Sequence, residues 1–162
     1  MWNEQSDLSF VRSKESFCRF YKLRFELEDW DGNTAYAEYS SFRVTSEADK
    51  YRLLLGDYSG NASADAADDM SNGFLYHNRQ QFSTFDRDND GYQHGSCVNA
   101  GGGGASNGGF WYRNCATVTA TSTYCPTANC GRTFRHLNWN AWQTGDRVHL
   151  KKMTMMMRPT DF

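Results

Sequence analysis

Between residues 22 and 44 apolar and polar side chains alternate with a period of two. Leu23, Phe25 and Leu27 are separated by Lys22, Arg24, Glu26 and Glu28, the pattern of a half-buried β-strand. The run breaks at Asp29-Trp30-Asp31-Gly32-Asn33, where Asp-Gly supplies the positive φ of a tight turn. It then resumes through Ala35, Ala37 and Tyr39 to Phe42 and Val44, so the whole segment predicts a β-hairpin. A third strand is predicted over residues 51–55. It ends at the turn residues Gly56-Asp57-Tyr58-Ser59-Gly60, and the Ala/Asp/Ser-rich stretch up to residue 69 reads as one short helix or a loop. From residue 72 onward periodicity is lost. Gly, Asn, Asp, Ser and Thr dominate, interrupted by Phe82, Phe85, Trp111, Tyr112, Trp139 and Trp142, with glycine insertions at 101–104 and 108–109. Irregular chain of that length is costly in conformational entropy, so a metal ion and a disulfide are expected to brace it. The first twenty residues show no clean period, and no element is assigned to them.

Composition narrows the class. The chain has 162 residues, 39% hydrophobic and 15% aromatic, enough for one domain with a modest core. Its 17 basic and 19 acidic residues leave a formal charge of -2, and no Lys/Arg stripe is visible, which argues against a nucleic-acid partner. There is no apolar run near the ~20 residues a membrane helix needs, and no basic-then-apolar start of a signal peptide. Membrane insertion is therefore not expected. Cys97, Cys115, Cys125 and Cys130 crowd into the loop-rich half without CxxC or His spacings for zinc, which points to disulfides and a secreted setting. Cys18 is the odd thiol. Asn61-Ala62-Ser63 is a glycosylation sequon if the chain is secreted.

The strongest chemical signal lies over residues 86–97. Asp86, Asp88 and Asp90 occupy alternate positions, with Asn89 between the last two and Gly91 after them, so hard oxygen donors can converge on one cation. Three carboxylates this close repel unless a cation separates them, and calcium suits them better than magnesium, which keeps its waters and a near-ideal octahedron. The opening matches the first half of an EF-hand loop, but Cys97 stands where the bidentate Glu belongs, so carbonyls of Tyr92, His94 or Gly95 would have to complete the shell. If Cys97 pairs with Cys115, closure of that loop contributes about 3 kcal/mol in the chain-entropy model, and Cys125 and Cys130 are close enough for a second bridge. Catalysis is not predicted: His77, His94, His136 and His149 stand at no metal spacing and beside no nucleophile, and no Gly-rich phosphate loop follows a strand.

The residues Leu27-Glu28-Asp29-Trp30-Asp31-Gly32-Asn33-Thr34-Ala35-Tyr36-Ala37-Glu38-Tyr39, with Tyr76-His77-Asn78, Phe82-Ser83-Thr84-Phe85-Asp86-Arg87-Asp88-Asn89-Asp90, Phe110-Trp111-Tyr112-Arg113-Asn114-Cys115 and Asn138-Trp139, closely resemble the fibrinogen C-terminal domain family. The likeness runs over residues 22–159 and leaves 1–21 as a divergent N-terminal segment. It implies an α+β domain, a twisted antiparallel sheet with a loop-rich calcium-binding subdomain. It also implies that the front part of the domain is missing, so that strands which pair with the hairpin are absent and an edge is left exposed. By the same resemblance Asp88 and Asp90 are the side-chain ligands of Ca2+. Tyr92 and either His94 or Gly95 supply carbonyls, and Asp86 supports the loop from behind.

The family's lectins hold acetyl groups beside the disulfide, which places a ligand pocket at Asn114, Cys115, Ala116 and Tyr124. Ala116, however, stands where those lectins carry a histidine donor, and the Asn114-Cys115 bond matches a position that is often cis. Trp111, Tyr112, Trp139 and Trp142 are further candidate walls, the last two read as core. The implied function is calcium-dependent extracellular recognition of a glycan or acetylated ligand, as in innate immunity, in a protein that can oligomerise as part of a longer product. The alternative is a protein-binding module, a receptor ligand or a binder of a cell-surface or matrix protein.

Overall fold

The computed structural model describes residues 20–63, 73–98, 108–128, 130, 136–142 and 149–160. The predicted hairpin forms from β1 (Tyr21–Glu28) and β2 (Thr34–Val44), antiparallel, with Leu23, Phe25 and Leu27 beside Tyr39, Ala37 and Ala35. One buried carboxylate builds its turn. Asp29 is 1% exposed; its Oδ1 accepts the N–H groups of Asp31 (2.9 Å) and Asn33 (2.8 Å), and its Oδ2 accepts Asn33 Nδ2 (2.8 Å). Gly32 supplies the positive φ, at 84°.

The third strand is shorter than predicted. β3 covers Leu53–Leu55 only, because Lys50 and Tyr51 both take positive φ (55° and 53°), which no strand residue can. The segment read as a turn carries a strand of its own, β4 (Tyr58–Gly60), paired with β2. Gly60 is needed there, since a Cβ at that position would collide with the Tyr36 carbonyl oxygen. The stretch read as helix or loop falls largely outside the described residues, as do Cys18, the 101–104 glycines and most of the first 21 residues.

The chain returns as β7 (Lys152–Pro159), antiparallel to β1, giving the order β3-β2-β1-β7 with β4 also on β2. This corrects the expectation of an exposed hairpin edge, because the closing segment pairs with β1 along its whole length. A second sheet joins β5 (Val118–Thr119) to β6 (Asn138–Trp139). Two short 3-10 turns, Glu47–Asp49 and Phe74–His77, are the only helical pieces among the described residues.

Stacked rings join the loop half to the sheet. Phe25 meets Phe74 (centroids 4.9 Å apart) and Trp139 (5.1 Å), and Phe74 reaches Phe110 (5.9 Å). Edge-on pairs of this kind add to the burial of large side chains that already dominates a core's stability. At the end of the Phe74–His77 turn the His77 ring is fully buried. Nδ1 lies 2.8 Å from the Trp111 carbonyl, while Nε2 faces the N–H groups of Thr117 (3.4 Å) and Val118 (3.3 Å). Those partners fix the neutral tautomer: Nδ1–H donates and Nε2 accepts. Burial pushes the pKa down to about 4, against the opposing pull of the Trp111 carbonyl.

The unfolded chain protonates this histidine near 6.5, well before the folded one. The stability it contributes is therefore complete above pH 6.5 and is lost as pH falls toward 4, a loss on the order of 3 kcal/mol. Urea midpoints measured between pH 7.5 and 4 should show that fall, and His77→Gln should flatten it. Parallel profiles for the two proteins would refute the assignment.

Candidate metal site and the adjoining loops

The acidic loop is hung from a small frame. Asn89 donates its N–H to Ser83 Oγ (2.9 Å) and its Nδ2 to the Phe82 carbonyl (2.8 Å), while Thr84 and Arg87 exchange backbone bonds around a tip made of Phe85 and Asp86. At that tip Asp86 accepts the Thr84 hydroxyl (2.7 Å), and this bond is the main reason its carboxyl sits below its ordinary pKa. Asp88 caps the next turn, its Oδ1 accepting the Asp90 N–H (3.1 Å). Asp90 then organises the remainder: Oδ1 takes the Tyr92 N–H (2.8 Å) and Oδ2 the Cys97 N–H (2.7 Å).

Charge in this loop is poorly balanced. Partial burial raises the Asp90 carboxyl above its ordinary pKa; the two N–H bonds pull it back, and the adjacent Asp88 carboxylate pushes it up again. Asp88 and Asp90, close enough for each carboxylate to act on the other, are hard oxygen donors of the kind calcium takes. Among the described residues no three His, Cys, Asp or Glu side chains form a metal cluster, so side chains would supply two ligands, Asp88 and Asp90, and the rest would come from carbonyls of Tyr92, His94 or Gly95 and from water. Asp86 stays with Thr84. Gly91 holds the loop against the next segment: its N–H donates to the Arg113 carbonyl (2.7 Å), and a Cβ there would lie 2.9 Å from that oxygen.

Cys97 and Cys115 are bonded, with Cα atoms 5.0 Å apart, and Cys125 is bonded to Cys130. The Asn114-Cys115 peptide is trans, and Cys115 takes a positive φ of 56°. The Asn114 carbonyl accepts the Tyr76 hydroxyl (3.0 Å). Ala116 is 8% exposed and offers only a methyl group. Tyr124 is half exposed and stands by Trp30, ring centroids 6.5 Å apart; among the described residues no hydrogen bond or ring contact joins it to Asn114, Cys115 or Ala116.

Of the other candidate walls, Tyr112 and Trp139 are buried in the core and Trp142 packs against it, while Trp111 donates Nε1–H to the Tyr51 carbonyl (2.7 Å). Asn61 is exposed, with Oδ1 on the Tyr36 N–H (2.8 Å) and Nδ2, the atom that carries a glycan, outside that bond. Two residues the sequence left without a role turn out to position others. Asp29 builds the hairpin turn and His77 ties Trp111 to Thr117 and Val118; the only signal for either was its place inside a familiar motif.

Arranged this way, strands, disulfide and acidic loop match a known class, the fibrinogen-like globe. The solved globe domain of human ANGPTL2 superposes with a TM-score of 0.71 at 37% identity, over 87% of this chain and 59% of that one. Lamprey fibrin D-dimer, in complex with the peptide ligand Gly-His-Arg-Pro-amide, gives 0.69 at 28% identity, over 89% of this chain and 47% of that one. Residues 5–160 match the family model for the C-terminal globular domain of the fibrinogen beta and gamma chains, and the protein belongs to that family. Mouse angiopoietin-related protein 7 is 38% identical over 141 residues, 87% of this chain and 38% of the relative, so this chain spans well under half of it.

Asp88 and Asp90 should respond differently to substitution even in chelator. Asp90→Ala strips an acceptor from two N–H groups and should lower unfolding stability by about 1–3 kcal/mol without any metal. Asp88→Ala, losing one exposed turn bond, should cost clearly less. Equal losses in a denaturant titration would overturn this division.

Proposed function

We propose that this chain is a non-catalytic, extracellular protein-recognition module whose binding loops are braced by calcium and by the Cys97–Cys115 disulfide. The observation that carries the reading is Ala116. Beside the disulfide, where a lectin of this family needs a donor for an acetyl group, the chain has a buried methyl, and Tyr124 stands against Trp30 instead. The relatives agree in kind, since they include an angiopoietin-related protein and a fibrin fragment that holds a short peptide. Two disulfides fit an oxidising compartment. When bound, calcium would supply positive charge between Asp88 and Asp90. The chain's own part is to hold those carboxylates and the carbonyls of Tyr92 and its neighbours in one turn.

Two measurements separate the parts of this proposal. Immobilised N-acetylglucosamine and acetylated resin should retain none of the protein with or without calcium, whereas binding to intact cells should be lost after trypsin treatment and survive removal of glycans. Retention eluted by free N-acetylglucosamine would replace the protein-binding reading with the lectin one. Separately, millimolar calcium should raise the wild-type melting temperature by several degrees and leave Asp88→Ala unmoved, since a ligand of the folded state alone stabilises by mass action. A wild type indifferent to calcium removes the ion from the scheme.

A further inference from the structure

The second sheet turns one face to the core and the other to a row of buried polar side chains. Val118 and Trp139, opposite each other on β5 and β6, belong to the core, so the next pair along, Thr119 and Asn138, lies on the other face. His149 continues that row through an antiparallel bridge to Asn138. The bond beside the bridge, from the Leu150 N–H to the Leu137 carbonyl (2.9 Å), makes Asn138 and His149 the closer, non-hydrogen-bonded kind of antiparallel pair. Thr119, Asn138 and His149 are each at most 2% exposed.

Buried polar groups cost stability unless each finds a partner. Thr119 has one, since its hydroxyl donates to the His136 carbonyl (2.6 Å). Asn138 differs: among the described residues neither its Oδ1 nor its Nδ2 is hydrogen-bonded. A second imidazole reaches the same place. The His136 ring meets the His149 ring edge-on, with centroids 4.8 Å apart. Its Nδ1 lies 3.4 Å from the Thr123 carbonyl, so Nδ1 carries the proton and Nε2 keeps its lone pair. Metal-ligating histidines are held in this way, one ring nitrogen donating to a carbonyl while the other takes the ion. The ring spacing agrees, because two imidazoles sharing a tetrahedral ion at N–metal distances of about 2.0–2.1 Å have ring centres roughly 5 Å apart.

We propose that His136, His149 and the side-chain oxygen of Asn138 bind a divalent transition-metal ion of the zinc kind. Imidazole nitrogens select for such ions and against calcium and magnesium, which take oxygen. Three protein donors leave one tetrahedral position for water, so the affinity falls short of a closed four-ligand structural site. The ion would clamp β6 to the segment that leads through Leu150 into β7, and it would give the Asn138 oxygen the partner that the fold does not. The acidic loop takes no part, so the site stands or falls independently of the function proposed above.

The test uses the full chain, stripped of metal and labelled with nitrogen-15, titrated with zinc chloride at neutral pH in saturating calcium. The ring nitrogens of His136 and His149 should shift together and saturate at equimolar zinc, while those of His77 and His94 stay in place, and zinc should raise the melting temperature. His136→Ala should weaken zinc binding at least about tenfold and leave the melting temperature in chelator near wild type. If that variant does not fold, the ring-nitrogen shifts of the wild type decide alone. Histidine rings unmoved by millimolar zinc overturn the proposal. So do shifts confined to His94, and so does equal zinc affinity in the wild type and a folded His136→Ala.

Discussion

A single buried imidazole ties the irregular half of this protein together. His77 satisfies three backbone groups, the Trp111 carbonyl on one side of the Cys115 turn and the N–H groups of Thr117 and Val118 on the other. The Val118 N–H, which is buried, would otherwise be an unpaired polar group costing about 1–3 kcal/mol. Consequences spread from both ends. Trp111 reaches from this anchor to the Tyr51 carbonyl beside β3, and Val118 begins the strand that pairs with Trp139, which stacks on Phe25 of the main sheet. The disulfide enters at Cys115, between the two anchored stretches. A region with little regular hydrogen bonding thus acquires a defined shape through one side chain, and only while that side chain is neutral.

The acidic loop shows the opposite electrostatic situation. His77 is stable because burial has removed a charge, whereas Asp90 keeps a charge site that burial and Asp88 both oppose. Its two N–H partners, at Tyr92 and Cys97, already set the loop's shape without any ion. What is left unbalanced is charge, which the cation of the proposed scheme would offset. The Cys97 end of that frame is also covalently tied to Cys115, next to the His77 anchor. The disulfide is the link through which the shape of the acidic loop and the shape of the Ala116 turn depend on each other.

How much of this was legible varies with the kind of interaction. The hairpin was readable because β1 and β2 bury one face and expose the other, so period two is written into residues 22–39 with an Asp-Gly turn between. β7 was not readable as a strand, since Lys152–Pro159 lies where neither face is fully covered and Met-Met-Met carries no alternation. β4 was hidden because its residues are those of a turn, and β3 was over-extended because nothing in Lys50 and Tyr51 announces left-handed backbone. At the site, alternate aspartates within a short loop were visible as a donor set. The division of their hydrogen bonds was not, because it depends on which N–H groups the folded turn delivers to Asp90.

The same reasoning ties the acidic loop to the segment that carries Cys115 and Ala116. Gly91 lies against the Arg113 carbonyl with no room for a side chain, so the acidic loop is fitted to the segment that leads into Cys115. Ala116 is 8% exposed, and its neighbours Thr117 and Val118 are held by their backbone N–H groups on His77, so the course of the chain there does not depend on a side-chain bond from residue 116. Under the function proposed above, such a frame keeps its shape whatever partner it meets, and the methyl group of Ala116 is what sets the acetyl-binding reading aside.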